Sequence, residues 1–215
     1  MSEYSFRPEH FERVDESVDE EFYRQPRLVV HIDDGAIAAA REFYRSLLPP
    51  HGRILDLMSS WRSHLPVDSD FERVTGLGMN AAEMADNPQL GEYVVHNLNS
   101  DPSLPFGNDE FDAAINTVSV QYLTRPVEVF AEVHRVLRPG APYLVTFSNR
   151  CFPTKAVRIW RSLNDEGHAQ LIAAYFRSSA AWSDLHAVYC NPDADGDPLY
   201  AVYARKAEGA ALHAD

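Results

Sequence analysis

Residues Arg53 to Leu65, RILDLMSSWRSHL, constrain the fold more than any other stretch. The apolar run Ile54-Leu55 ends in Asp56-Leu57 and passes straight into Met58-Ser59-Ser60 and a segment able to start a helix. A buried strand of an open parallel sheet reads this way where it turns towards its first helix at a ligand crevice. A carboxylate at the end of such a strand is costly unless something uses it. Asp56 therefore either caps the turn that follows it or meets a ligand.

Helix and strand signals alternate on both sides of this stretch. Upstream, DGAIAAAREFYRSLLPPHG predicts a helix over 35–48 with Asp34 as its N-cap and Ile37, Ala40, Tyr44 and Leu47 on one stripe. Downstream, strands are predicted over 73–77, 93–96, 111–116 and 142–147, with a helix over 81–85. A further helix is entered through Pro126 and carries Val129, Phe130, Val133, Val136 and Leu137 as its buried stripe. The last third predicts helices over 154–163 and 166–177 and strands over 183–190 and 199–204, the strands joined by NPDADGDP. So short a connection makes them antiparallel neighbours. The expectation is an α/β doubly wound sheet of seven strands, five parallel plus a C-terminal antiparallel hairpin, with helices on both faces.

Composition narrows the function. At 215 residues with 45% hydrophobic side chains, the chain is long enough for one well-cored domain. It lacks the roughly 18 or more consecutive apolar residues of a membrane span, and its start, MSEYSFRPEHFERVDESVDEEF, is acidic where a signal peptide is basic and then apolar. A cytoplasmic protein without a membrane partner is expected. Cys151 and Cys190 make neither a disulfide framework nor a metal-ligand spacing, and the nine histidines include no HxxxH or HExxH, so no metal is expected. The net charge is −13 and the only lysines are Lys155 and Lys206, which makes nucleic acid a poor partner.

Two stretches carry a specific likeness. LPFGNDEFDAAINTVSVQYL and VFAEVHRVLRPGAPYLVTFSN, together with RILDL, resemble the class I S-adenosylmethionine-dependent methyltransferases of the type 11 kind over about Ile54 to Asn149. The resemblance implies a Rossmann-like fold, S-adenosyl-L-methionine as cofactor and transfer of its methyl group. It divides the single domain into an arm or lid over 1–35, a cofactor-binding core over 36–150, a helical substrate-side insertion over 151–180, a hairpin over 181–206 and a disordered tail over 207–215.

The departures are specific too. Asp56 is kept, but Met58, Ser60 and Arg62 stand where the family has three glycines, so motif I is divergent. Gly78 stands at the usual acidic position after the second strand, with Asn80 two residues on, and Asn97 replaces an adenine-binding aspartate. The resemblance implies cofactor contacts from Asp56, Met58, Ser59, Ser60, Asn80, Asn97, Leu98, Asn116 and Ser119. It places catalytic groups at His31, Tyr23 and Tyr122 and substrate contacts at Gln121, Asn149, Arg150 and Cys151. Two readings follow: a methyltransferase acting on a small molecule as a monomer or homodimer, or a non-catalytic binding or scaffold protein on the same fold.

Overall fold

The computed structural model describes residues 5–208. Its seven strands are β1 (Arg53–Leu57), β2 (Arg73–Gly78), β3 (Glu92–Val95), β4 (Ala113–Thr117), β5 (Pro142–Phe147), β6 (Trp182–Tyr189) and β7 (Tyr200–Lys206). They form one sheet in the order β3-β2-β1-β4-β5-β7-β6, parallel from β1 to β5 and antiparallel where β7 meets β5 and β6. The strand order reverses between β1 and β4, and a ligand crevice belongs above their C-terminal ends.

The helices are α1 (Asp19–Phe22), α2 (Asp34–Leu47), α3 (Ala81–Ala85), α4 (Pro126–Val136), α5 (Arg158–Arg161) and α6 (Asp165–Ser179). Side chains alternate across each strand. Leu55 and Leu57 therefore join Phe130, Val133, Tyr143 and Phe176 under α4 and α6, while Ile54 joins Ala40, Tyr44, Ile115 and Leu144 under α2. Burying both faces of β1 leaves Asp56, 2% exposed, inside the sheet's upper edge.

Element ends moved where tertiary partners outweigh local signals. Asp33, not Asp34, caps α2: it accepts from the Ala36 amide at 2.9 Å and from the Asp197 amide at 2.7 Å, so the hairpin loop holds the capping residue. Phe111 makes a lone bridge to Leu137, and β4 begins only at Ala113. Of the helix expected over 154–163, only Arg158–Arg161 forms. The amides of Lys155 and Ala156 both donate to Phe152 and that of Val157 donates to Gln121, which holds the chain in turns. Ala207 donates to Ala181, so the expected tail starts ordered, and its remainder from 209 on lies outside the described residues.

The N-terminal arm is fastened to the segment before α5. The Asp15 amide donates to Thr154 at 2.9 Å and the Arg158 amide donates to Glu12 at 2.7 Å. Beneath them Asp19, 4% exposed, meets Arg13 at 2.6 Å and the fully buried Lys155 at 3.2 Å. Lys155 also donates to the Ser17 carbonyl at 2.6 Å. Phe6 and Phe11 pack on Tyr175, with ring centroids 5.3 and 6.4 Å away.

Candidate active site

A crevice opens above the C-terminal ends of β1, β2 and β4, and the arm from Asp19 to His31 forms its outer wall. The space inside it that the centre of a water-sized sphere can occupy is about 140 Å³.

The bend after β1 forms the floor. Met58 takes the left-handed backbone, φ 58°, that a glycine usually supplies, and its side chain packs onto the core under α4. The Ser59 amide donates to Leu77 at 2.8 Å, drawing the bend against β2. Asp56 Oδ2 accepts from Ser59 Oγ and Ser63 Oγ, both at 2.6 Å, while Oδ1 has no hydrogen-bond partner among the described residues. Burial pushes the Asp56 carboxyl up to about 6, and the two serine hydroxyls pull against that shift. Ser60 Oγ donates to Glu83 at 2.6 Å. Arg62 turns away from the crevice floor, lying over the Trp61 ring at 3.9 Å and donating to the Asp86 carbonyl at 2.9 Å. Met58 and Arg62 both line the crevice.

The arm meets the two asparagines expected to face the nucleoside. Asn80 Oδ1 caps α3 by accepting from Ala82 and Glu83, and its Nδ2 donates to the Tyr23 carbonyl at 2.8 Å. Asn97 Nδ2 donates to Glu20 at 2.7 Å. Leu98 and Ser119 line the crevice, whereas Asn116 is fully buried behind it and accepts from Ser119 Oγ at 2.9 Å.

Tyr23 and His31 from the arm and Tyr122 from the segment after β4 converge on this space. The His31 ring stands edge-on to Phe152, 5.2 Å between centroids, and makes no hydrogen bond among the described residues. Burial lowers its pKa, Glu83 pulls the other way, and Arg27 adds to the lowering. Tyr122 Oη accepts from the Phe152 amide at 2.8 Å, and burial pushes the phenol up to about 12. Burial raises Tyr23 further.

The substrate-side expectation fails to converge on this space, since Gln121, Asn149, Arg150 and Cys151 do not line it. Gln121 is buried and turned back to the Val118 carbonyl at 2.9 Å. Arg150 lies 3.4 Å from Asp197 of the hairpin loop, beside exposed Asn149. Cys151 is half-buried, with its thiol pKa raised by burial. The chain returns only at Phe152. Residues that sequence reasoning missed are Arg27, Glu83 and Phe152. Glu83 had a local signal, an acid in the helical turn just after Gly78. The other two had none. His64, left-handed at φ 56°, also lines the crevice, and burial, with Arg41 next, pushes it down to about 4. Among the described residues no group of three His, Cys, Asp or Glu could hold a metal, and no helix is long and apolar enough to cross a membrane.

Comparison with known proteins agrees with this arrangement. Residues 61–145 match the family described as "Methyltransferase domain". A stretch of 93 residues, 43% of the chain, is 26% identical to the biotin biosynthesis bifunctional protein BioHC of Teredinibacter turnerae, and the match spans 16% of that relative's length. Among solved structures, the protein bound to the Trm112 methyltransferase activator of Haloferax volcanii superposes with a TM-score of 0.57 at 12% identity, over 81% of this chain and 91% of that one. An S-adenosylmethionine-dependent methyltransferase of Mesorhizobium loti gives 0.54 at 20% identity, over 78% and 97%. The chain thus carries a methyltransferase-domain match over residues 61–145, and its sheet order has the Rossmann-like fold of these solved methyltransferase structures.

Proposed function

We propose that the crevice binds S-adenosyl-L-methionine and that the chain transfers its methyl group to a small-molecule acceptor entering beside His31. The observation that carries this reading is the Asp56 carboxylate on the crevice lining: one oxygen is held by two serines and the other has no partner among the described residues. When bound, the cofactor supplies a methyl group on a sulfonium, already activated for in-line displacement.

The chain's own task is then binding and alignment. Asp56 Oδ1 accepts from the cofactor's ammonium group, and Ser59 and Ser60, their protons donated to carboxylates, keep lone pairs for further donors. Leu98 and Leu77 supply apolar wall for the base. Asn80 and Asn97 donate their amide protons to the Tyr23 carbonyl and to Glu20, and those are the protons a nucleoside takes over. On the acceptor side, the lowered pKa leaves His31 neutral at pH 7, with ring nitrogens free to take a proton from a hydroxyl or amine. Tyr122, fixed by Phe152 and neutral, orients through its ring, and Tyr23 closes the opposite side.

Calorimetric titration with S-adenosylmethionine and with S-adenosylhomocysteine tests the reading. Saturable binding of both is expected. No heat at millimolar ligand contradicts it and leaves a binding or scaffold role on the same fold.

A further inference from the structure

Arg27 lines the crevice but belongs to none of the roles above. Its guanidinium lies among three rings, 4.3 Å from the centroid of Phe22, 5.6 Å from Tyr23 and 5.4 Å from Phe152. Nη2 donates to the Phe22 carbonyl at 2.8 Å, and Nη1 is buried with no partner. Among the described residues no carboxylate lies within ion-pair reach of it. That isolation is unexpected in a chain with 32 acidic and 19 basic side chains.

The neighbouring acids are already engaged. Asp19 is met by Arg13 and Lys155. Glu83 accepts from Ser60 Oγ on one oxygen and from the Arg27 backbone amide on the other, at 2.7 Å. The other guanidinium lining the crevice, that of Arg62, leans on Asp86 at 3.7 Å. One full positive charge with an unused donor thus remains in a largely aromatic corner. A buried donor without an acceptor is costly, and a planar guanidinium matches a carboxylate with two parallel hydrogen bonds.

We propose that Arg27 is the carboxylate-receiving group of the crevice, its ring neighbours covering the apolar body that carries the carboxylate. The inference rests on the crevice being the ligand site. Two sources share the chemistry: the acceptor itself, as a small aromatic or apolar acid, or the amino-acid end of the cofactor.

The test measures wild type, Arg27→Gln and Arg27→Lys against S-adenosylhomocysteine, against 5′-methylthioadenosine, which lacks the amino acid, and against benzoate and benzamide. If the acceptor supplies the carboxylate, wild type prefers benzoate to benzamide by at least tenfold and Arg27→Gln loses that preference with S-adenosylhomocysteine affinity unchanged. If the cofactor supplies it, Arg27→Gln binds S-adenosylhomocysteine at least tenfold more weakly and methylthioadenosine equally well. Arg27→Lys keeps part of either effect, and carries the comparison should the glutamine variant not fold. Unchanged S-adenosylhomocysteine affinity in the variants, together with no benzoate preference in wild type, overturns the proposal. Wild type that binds neither nucleoside refutes the cofactor reading alone, because the benzoate comparison still reads Arg27.

Discussion

The carbonyl oxygen of Ser59 sits where a side chain on Gly78 would begin, and a methyl group there would overlap it. The bend after β1 and the end of β2 are therefore one fitted pair, joined by the Ser59 to Leu77 hydrogen bond at 2.8 Å. Side chains on the bend at Met58 and Ser59 and a glycine at the end of β2 are therefore physically linked. With side chains on the bend, its backbone leans onto β2, and only glycine fits beneath.

A side chain at position 78, an acid included, should therefore fail. Gly78→Ala meets backbone, which cannot swing aside as a side chain does, and Gly78→Asp meets the same overlap. Each is expected to lose roughly 3 kcal/mol or more, within the range for core overpacking and strain. That is about 6–12 °C in melting temperature for a domain of this size. Thermal unfolding checks it, and a variant melting with wild type would show that the two segments are not fitted.

Asp56 trades stability for its position. Its folded pKa of about 6 lies above the ordinary 3.8, so the native state carries a penalty at neutral pH that disappears as pH falls from 6 to below 4. At about 1.4 kcal/mol per pKa unit the penalty is roughly 3 kcal/mol at pH 7.5. Asp56→Asn should be more stable than wild type at pH 7.5 and nearly equal to it at pH 4. Urea midpoints at the two values give the comparison.

His64 has the opposite sign. Its folded pKa of about 4 lies below the ordinary 6.5, so stability is lost as pH falls through that interval, when the unfolded chain takes up the proton first. His64→Asn, a residue that tolerates the left-handed backbone, should flatten the loss of stability between pH 6.5 and 4. An NMR titration should show wild-type His64 uncharged down to about pH 5 and His31 titrating below the usual histidine range.

The arm's anchorage depends on Asp19, which faces two cations in a place where Lys155 has no exposure. Asp19→Ala leaves Arg13 and Lys155 without their shared carboxylate. Breaking a buried pair from one side costs about 3–5 kcal/mol, and Asp19→Asn should cost less because it keeps a hydrogen-bond acceptor. Denaturant unfolding of both variants measures the difference.

The sheet was legible in the sequence because strands buried on both faces, such as ILDL and PYLVTF, read as apolar runs closed by turn residues. The crevice was legible where chain position alone sets it, at Asp56, Ser59, Ser60, Leu98 and Ser119 on the strand ends. The corner around Arg27 was not, because Tyr23 and Arg27 reach Tyr122 and Phe152 only through the arm's path, and that path is held by a salt-bridge cluster with no periodic signal. Asn149 to Cys151 lie off the crevice, and the contact of Arg150 with Asp197, 47 residues away in sequence, carries no local signal either.

The most direct measurement is the affinity of S-adenosylhomocysteine for wild type and for Asp56→Ala, taken by calorimetry at pH 7.5. If the free oxygen of Asp56 receives the cofactor's ammonium group, the variant binds at least tenfold more weakly, about 1.4 kcal/mol. Equal affinity in the two proteins would contradict the account, because the ligand would then lie away from the bend after β1.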